Sequence, residues 1–155
     1  MKSILPLFLF MCCITSWAQA VNDECVDRTA ITVATTANMY SVDTSTATET
    51  LDGSCELVGN NNLDVWYEFT MPVNGNVRIT NIPSSVSRSL YDSCGGTELV
   101  CAFNDGFFFG LTSGTTYVLR IAERADFAGN VDFSHANALI RSNSVSKKCS
   151  KACEF

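Results

Sequence analysis

Histidine is nearly absent from this sequence: His135 stands alone among 155 residues. A serine hydrolase normally takes histidine as its neutral-pH base, so any such mechanism would run through that one residue. Zinc sites need clustered ligands, ordinarily a C-x2-C pair or several histidines. Neither pattern occurs. The G-x-S-x-G elbow, the H-E-x-x-H helix, a glycine-rich phosphate loop and the N-glycosylation sequon are also missing. Cations are scarce, with 10 Lys and Arg against 16 Asp and Glu and a net charge of −6. Between Val21 and Ser146 the ratio is six to fifteen. Nucleic acid demands a basic face, so it is excluded as a partner. The acidity suits a solvated extracellular surface.

The one long apolar run stands at the start, "MKSILPLFLFMCCITSWAQA". Lys2 supplies a positive n-region, Ile4 to Ile14 the apolar segment, and Ala18-Gln19-Ala20 a small-x-small cleavage pattern. Residues 1–20 therefore read as a signal peptide, cut after Ala20. The run is shorter than the roughly 20 residues a bilayer span needs, and no later segment is longer, so no membrane insertion is expected. Residues 21–141 have the length of one domain. Residues 142–155 form a Ser-, Asn- and Lys-rich tail, expected to be flexible. The protein is expected to be secreted, outside the cell or at its surface.

Six cysteines lie beyond residue 20: Cys25, Cys55, Cys94, Cys101, Cys149 and Cys153. An even set in an exported chain reads as disulfides. Gly95 and Gly96 form a turn between strand-like runs, with Leu90 on one side and Leu99 and Val100 on the other. That arrangement favours pairing Cys94 with Cys101 across a hairpin. Cys25 is then expected to pair with Cys55. Cys149 and Cys153 either close on each other or pair elsewhere.

Short β-prone runs separated by Gly, Asn and Ser turns fill the middle of the chain. They are "TAITVATT" (29–36), "DVWYEFTM" (64–71), "VRITNI" (77–82), "SRSLYD" with "ELVCAF", "FFFGL", "TYVLRIAE" (116–123) and "VDFSH" (131–135). Tyr117, Leu119 and Ile121 alternate with Val118, Arg120 and Ala122. Trp66 breaks the polar side of its strand, which predicts that both faces of that strand are covered. "TSTATET" (44–50) reads as an edge strand. Eight or nine short strands predict an all-β fold, an antiparallel two-sheet sandwich of jelly-roll type.

"NDEC", "DVWYEFT", "LYDSCGG" followed by "LVC", "GLTSGTTYVLRIAE" and "GNVDF" occur in this order. Over residues 22–134 the chain resembles secreted β-sandwich modules of Bacteroidetes-type bacteria, related to the bacterial pre-peptidase C-terminal domains. The resemblance implies a non-catalytic, jelly-roll-like module of the kind found beside proteases or adhesins and exported by type IX secretion. Within these 155 residues neither the adjoining enzyme domain nor the β-rich sorting domain of that pattern is expected.

Candidate sites remain. Asp64 and Glu68, at i and i+4 on one strand, would lie about 13 Å apart. That is too far for a hydrolytic carboxylate pair, so both read as surface charges. His135, at the end of the last strand, reads as exposed or satisfied. Three loops have the Asp, Asn and carbonyl chemistry of a calcium site. They are Asn22-Asp23-Glu24, Asn60-Asn61-Asn62 with Asp64, and Asn104-Asp105-Gly106. In some relatives calcium sits near the N-terminal junction, which singles out Asp23 and Glu24. No other cofactor is implied. Phe107, Phe108 and Phe109 run consecutively, so at least one must leave the core. Beside Tyr91 or Trp66 it would form an aromatic platform for a sugar ring or a peptide. The expected function is a secreted, non-catalytic binding or accessory module contacting protein or polysaccharide, through loops at one end or through the Phe107–Phe109 edge. The alternatives are a structural spacer, a fragment of a larger cell-surface protein or protease, and, more remotely, a hydrolase.

Overall fold

The computed structural model describes residues 19–57 and 59–138. Residues 1–18 of the expected signal peptide, the expected tail, and Cys149 and Cys153 lie outside the described residues. Among the described residues nine strands form: β1 (Thr29–Ala30), β2 (Asn38–Asp43), β3 (Asn62–Thr70), β4 (Gly75–Thr80), β5 (Val86–Tyr91), β6 (Glu98–Phe103), β7 (Gly106–Leu111), β8 (Thr116–Arg124) and β9 (Asn130–Ala138). Three single-turn 3-10 segments, Cys25–Asp27, Thr44–Thr46 and Ala125–Phe127, are the only helical pieces among the described residues.

The strands build two sheets, ordered β1-β3-β8-β5-β6 and β2-β9-β4-β7. All pairings are antiparallel except that of β1, which runs parallel to β3. Only β5 and β6 are consecutive strands paired in one sheet. Elsewhere along β2 to β9 the chain crosses from one sheet to the other at each turn. This is the two-layer sandwich that the alternating pattern predicts.

Alternation decides which face each residue takes. Val65, Tyr67 and Phe69 of β3 and Leu119 and Ile121 of β8 point between the sheets. They meet Val77 and Ile79 of β4, Phe108 of β7 and Val131 and Phe133 of β9. Each such side chain contributes about 1.5–3 kcal/mol by leaving water, which makes this layer the principal source of stability. The opposite face of β3 and β8 is covered as well. Trp66, Tyr91 and Val118 form a second small cluster there, beneath Leu51 and Cys25.

Two strand expectations are corrected. Residues 44–50 are not an edge strand: Thr44–Thr46 form a 3-10 turn, and the chain then lies across the first sheet's outer face. The edge position belongs to β2, which presents alternating half-buried and exposed residues. The run 29–36 pairs only at Thr29 and Ala30, although Ile31 and Val33 still bury against the core.

Candidate functional site

The covering segment between β2 and β3 is held by one buried guanidinium. Arg120, on the outer side of β8, donates from Nε to Asp64 at 2.8 Å and from Nη1 to Glu56 at 2.6 Å. Its Nη2 donates to the Leu51 carbonyl. Burial alone would loosen the Arg120 proton, but Glu56 and Asp64 together raise its pKa above the ordinary value. Asp64 also accepts from the Thr50 hydroxyl at 2.8 Å and from the Trp66 indole at 3.0 Å. Asp64 is therefore a sealed ion-pair partner and not a surface charge. The reason is tertiary, since Arg120 and a loop over the sheet turn the outer face into an interior. Glu68 is half-buried and pairs with Arg28 at 2.7 Å.

Both observed disulfides tie covering segments to the β5–β6 hairpin, and both differ from the expected pairs. Cys25 bonds Cys94, with Cα atoms 5.8 Å apart, and Cys55 bonds Cys101, at 5.4 Å. Within the hairpin, Cys101 stands opposite Ser89, while Cys94 lies in the turn beyond the Tyr91–Glu98 pair. The two sulfurs are therefore not cross-strand neighbours. Gly53 packs against the Cys55–Cys101 clamp; a Cβ there would sit 2.9 Å from both Cys101 Sγ and Ser89 Oγ.

Clamping this segment shapes a cleft of about 550 Å³ at one end of the sandwich. Four chain crossovers contribute to it. Cys55, Glu56, Leu57 and Asn60 come from the covering segment, Ser84 and Ser85 from the β4–β5 loop, Phe103 from the end of β6, and Arg124 and Phe127 from the β8–β9 corner. Asn62, at the start of β3, completes the lining. Leu57, Phe103 and Phe127 remain exposed there, Phe127 by 57%. Arg124 lies 5.5 Å from the centre of the Phe127 ring and donates to Asp126 at 3.0 Å. Amides and hydroxyls thus stand beside apolar rims. That arrangement can bind a small ligand having both hydroxyl groups and C–H faces. Sequence reasoning missed Arg124, Phe127, Ser84 and Ser85; the turn composition of these loops was its only trace.

The phenylalanine run divides as strand geometry requires. Phe108 is buried against Arg88, whose guanidinium carbon lies 4.8 Å from the ring centre. Phe107 and Phe109 leave the core and stack on each other, with centroids 5.5 Å apart and an interplanar angle of 26°. Tyr91 and Trp66 do not join them. Both are buried, 5.6 Å apart, in the small cluster on the outer face of the other sheet. Burial, with Glu98 close by, pushes the Tyr91 hydroxyl up to about 12.

The calcium candidates occupy three separate environments. Asp23 accepts from the Thr48 hydroxyl at 2.7 Å and from the Gln19 amide. Glu24 is exposed ahead of the first 3-10 turn. Asp64 is engaged by Arg120, and Asp105 accepts from the Ile82 backbone at 3.0 Å. Among the described residues no three His, Cys, Asp or Glu side chains converge as metal ligands.

His135 is neither exposed nor satisfied. It is fully buried between the sheets, with Tyr40 and Phe69 against its ring. Neither nitrogen has a hydrogen-bond partner among the described residues. Burial lowers its pKa to about 4. A base sealed in this way cannot reach a substrate, so the one serine-activation route legible in the sequence is closed.

Among the described residues no helix is long and apolar enough to cross a membrane. No curated protein matches the chain. Residues 21–135 match the family described as galactose binding domain-like, in its type IX secretion-associated form, and the chain belongs to that family.

Proposed function

We propose that this protein is a secreted, non-catalytic module that binds carbohydrate at the end cleft. The observation that carries the reading is the convergence of Asn60, Asn62, Ser84 and Ser85 with the exposed Phe103 and Phe127 around one cavity. Sugar hydroxyls need donors and acceptors in fixed positions, and the C–H face of a pyranose packs on an aromatic ring. The family description points the same way, and its association with type IX secretion supports an extracellular or cell-surface location. Kinship with pre-peptidase C-terminal modules is part of this proposal, as is an accessory role beside a larger surface protein.

A glycan array tests it. The wild-type chain should retain a defined set of oligosaccharides, and Phe127→Ala should lose them while keeping its melting midpoint. A chain that binds nothing above background is the structural spacer instead.

The stacked Phe107 and Phe109 favour a second reading, in which the contact surface lies on the β2-β9-β4-β7 sheet. Arg78 lies 5.7 Å from the Phe107 ring centre. If this reading holds, Phe109→Ala, and not Phe127→Ala, removes binding.

A further inference from the structure

We infer that the end cleft selects uncharged sugars and rejects those bearing a carboxylate or sulfate; this rests on the reading that the cleft binds carbohydrate.

Charge around the cavity is unevenly distributed. Glu56 forms part of its wall. Among the described residues the only cation touching Glu56 is Arg120, which it shares with Asp64. That trio keeps one formal negative charge. Behind Ser85 lies Glu123, buried, accepting from the Ser85 hydroxyl at 3.0 Å and from the Thr44 hydroxyl at 3.1 Å. Neutral hydroxyls hold this carboxylate, and no cation pairs with it among the described residues. Arg124 is the sole cation in the lining among those residues, and the exposed Asp126 already pairs with it at 3.0 Å. A ligand therefore meets one buried carboxylate in the wall, Glu56, with a second, Glu123, behind Ser85, and one guanidinium that is already paired at the surface.

Salt screens buried charge less than exposed charge, so this negative field persists at physiological ionic strength. Hydroxyl and acetamido groups carry no net charge for it to repel, and their O–H and N–H groups can turn toward it. A ligand anion within about 4 Å of one such carboxylate would bind at least about fivefold more weakly even at the dielectric constant of water. Near a protein surface the effect corresponds to about tenfold in affinity or more.

The test uses matched pairs that differ only at C6. Oligogalactosides are titrated against oligogalacturonides, and oligoglucosides against oligoglucuronides, by calorimetry on the full chain. Binding of the neutral member with its uronide at least about tenfold weaker supports the inference, and raising the salt concentration should narrow that ratio. Asp126→Asn, which releases Arg124, should raise uronide binding relative to the neutral sugar. Equal or tighter binding of a uronide, with the neutral sugar still bound, overturns the selectivity and leaves the carbohydrate reading standing. Binding of neither member of any pair removes the carbohydrate reading, and this inference with it.

Discussion

Arg120 and Asp64 meet diagonally across the β8–β3 ladder, Nε to Oδ2 at 2.8 Å, with both side chains sealed from water. Removing one partner of a buried pair leaves the other charge uncompensated, which costs about 3–5 kcal/mol. Arg120→Met should therefore lose about that much in urea denaturation. It should also loosen the covering segment, because Glu56 and the Leu51 carbonyl lose their donor. The double variant Arg120→Met with Asp64→Asn should lose less than the two single losses together. Additive losses would mean the two groups do not act on each other.

The disulfide pairing is open to direct mapping. Non-reducing proteolysis should release Cys25 joined to Cys94 and Cys55 joined to Cys101. These bonds close loops of 69 and 46 residues by sequence separation. Cys101→Ser should lower stability by about 2–5 kcal/mol, and it should weaken ligand binding because Cys55 lines the cleft. A peptide joining Cys94 to Cys101 would contradict this fold.

Stability should fall with acid through His135. Its folded pKa, about 4, lies below the ordinary 6.5. Between those values the unfolded chain binds more protons than the folded one, so stability rises with pH. The contribution is complete above about pH 6.5 and is lost as the pH falls toward 4, a change of about 3 kcal/mol. His135→Phe should flatten that part of the curve, measured by chemical denaturation at each pH. An unchanged slope would mean the imidazole titrates normally.

Gly106 lies against the Arg88 guanidinium, where a Cβ would collide with Nη2. Arg88 is held by the Asn104 carbonyl at 2.9 Å and by Phe108 beneath it. Gly106→Ala should therefore cost about 1–3 kcal/mol through overpacking, read as a lower denaturation midpoint. A neutral result would show that Arg88 moves aside freely.

Calcium should leave the melting midpoint unchanged relative to a chelator, because Asp64 already serves Arg120 and Asp23 already serves Thr48. An occupied site at a hundred times its dissociation constant would add about 2.7 kcal/mol, a shift too large to miss. Such a shift would return attention to the exposed Glu24.

The sequence by itself determined seven of the nine strands, β3 to β9; it did not show β2 or how short β1 is. Alternation at Tyr117, Leu119 and Ile121 tells which side of β8 meets the core, because successive side chains on a strand point in opposite directions. The same rule puts Phe108 on the face opposite Phe107 and Phe109, and the structure shows that Phe108 is the one turned inward. Such rules are local, so a single chain carries them whole. Only the tertiary structure decided which cysteines pair, why Asp64 and Arg120 are interior, and where the cleft forms. Each depends on segments distant in sequence crossing the sandwich. Cys25 reaches Cys94, Glu56 reaches Arg120, and Ser85 and Phe127 line the same cavity. His135 shows the limit most plainly. Its place on β9 was legible, but its sealing came from Tyr40 and Phe69 on two other strands. Spacing along one strand does not encode how neighbouring strands close over it.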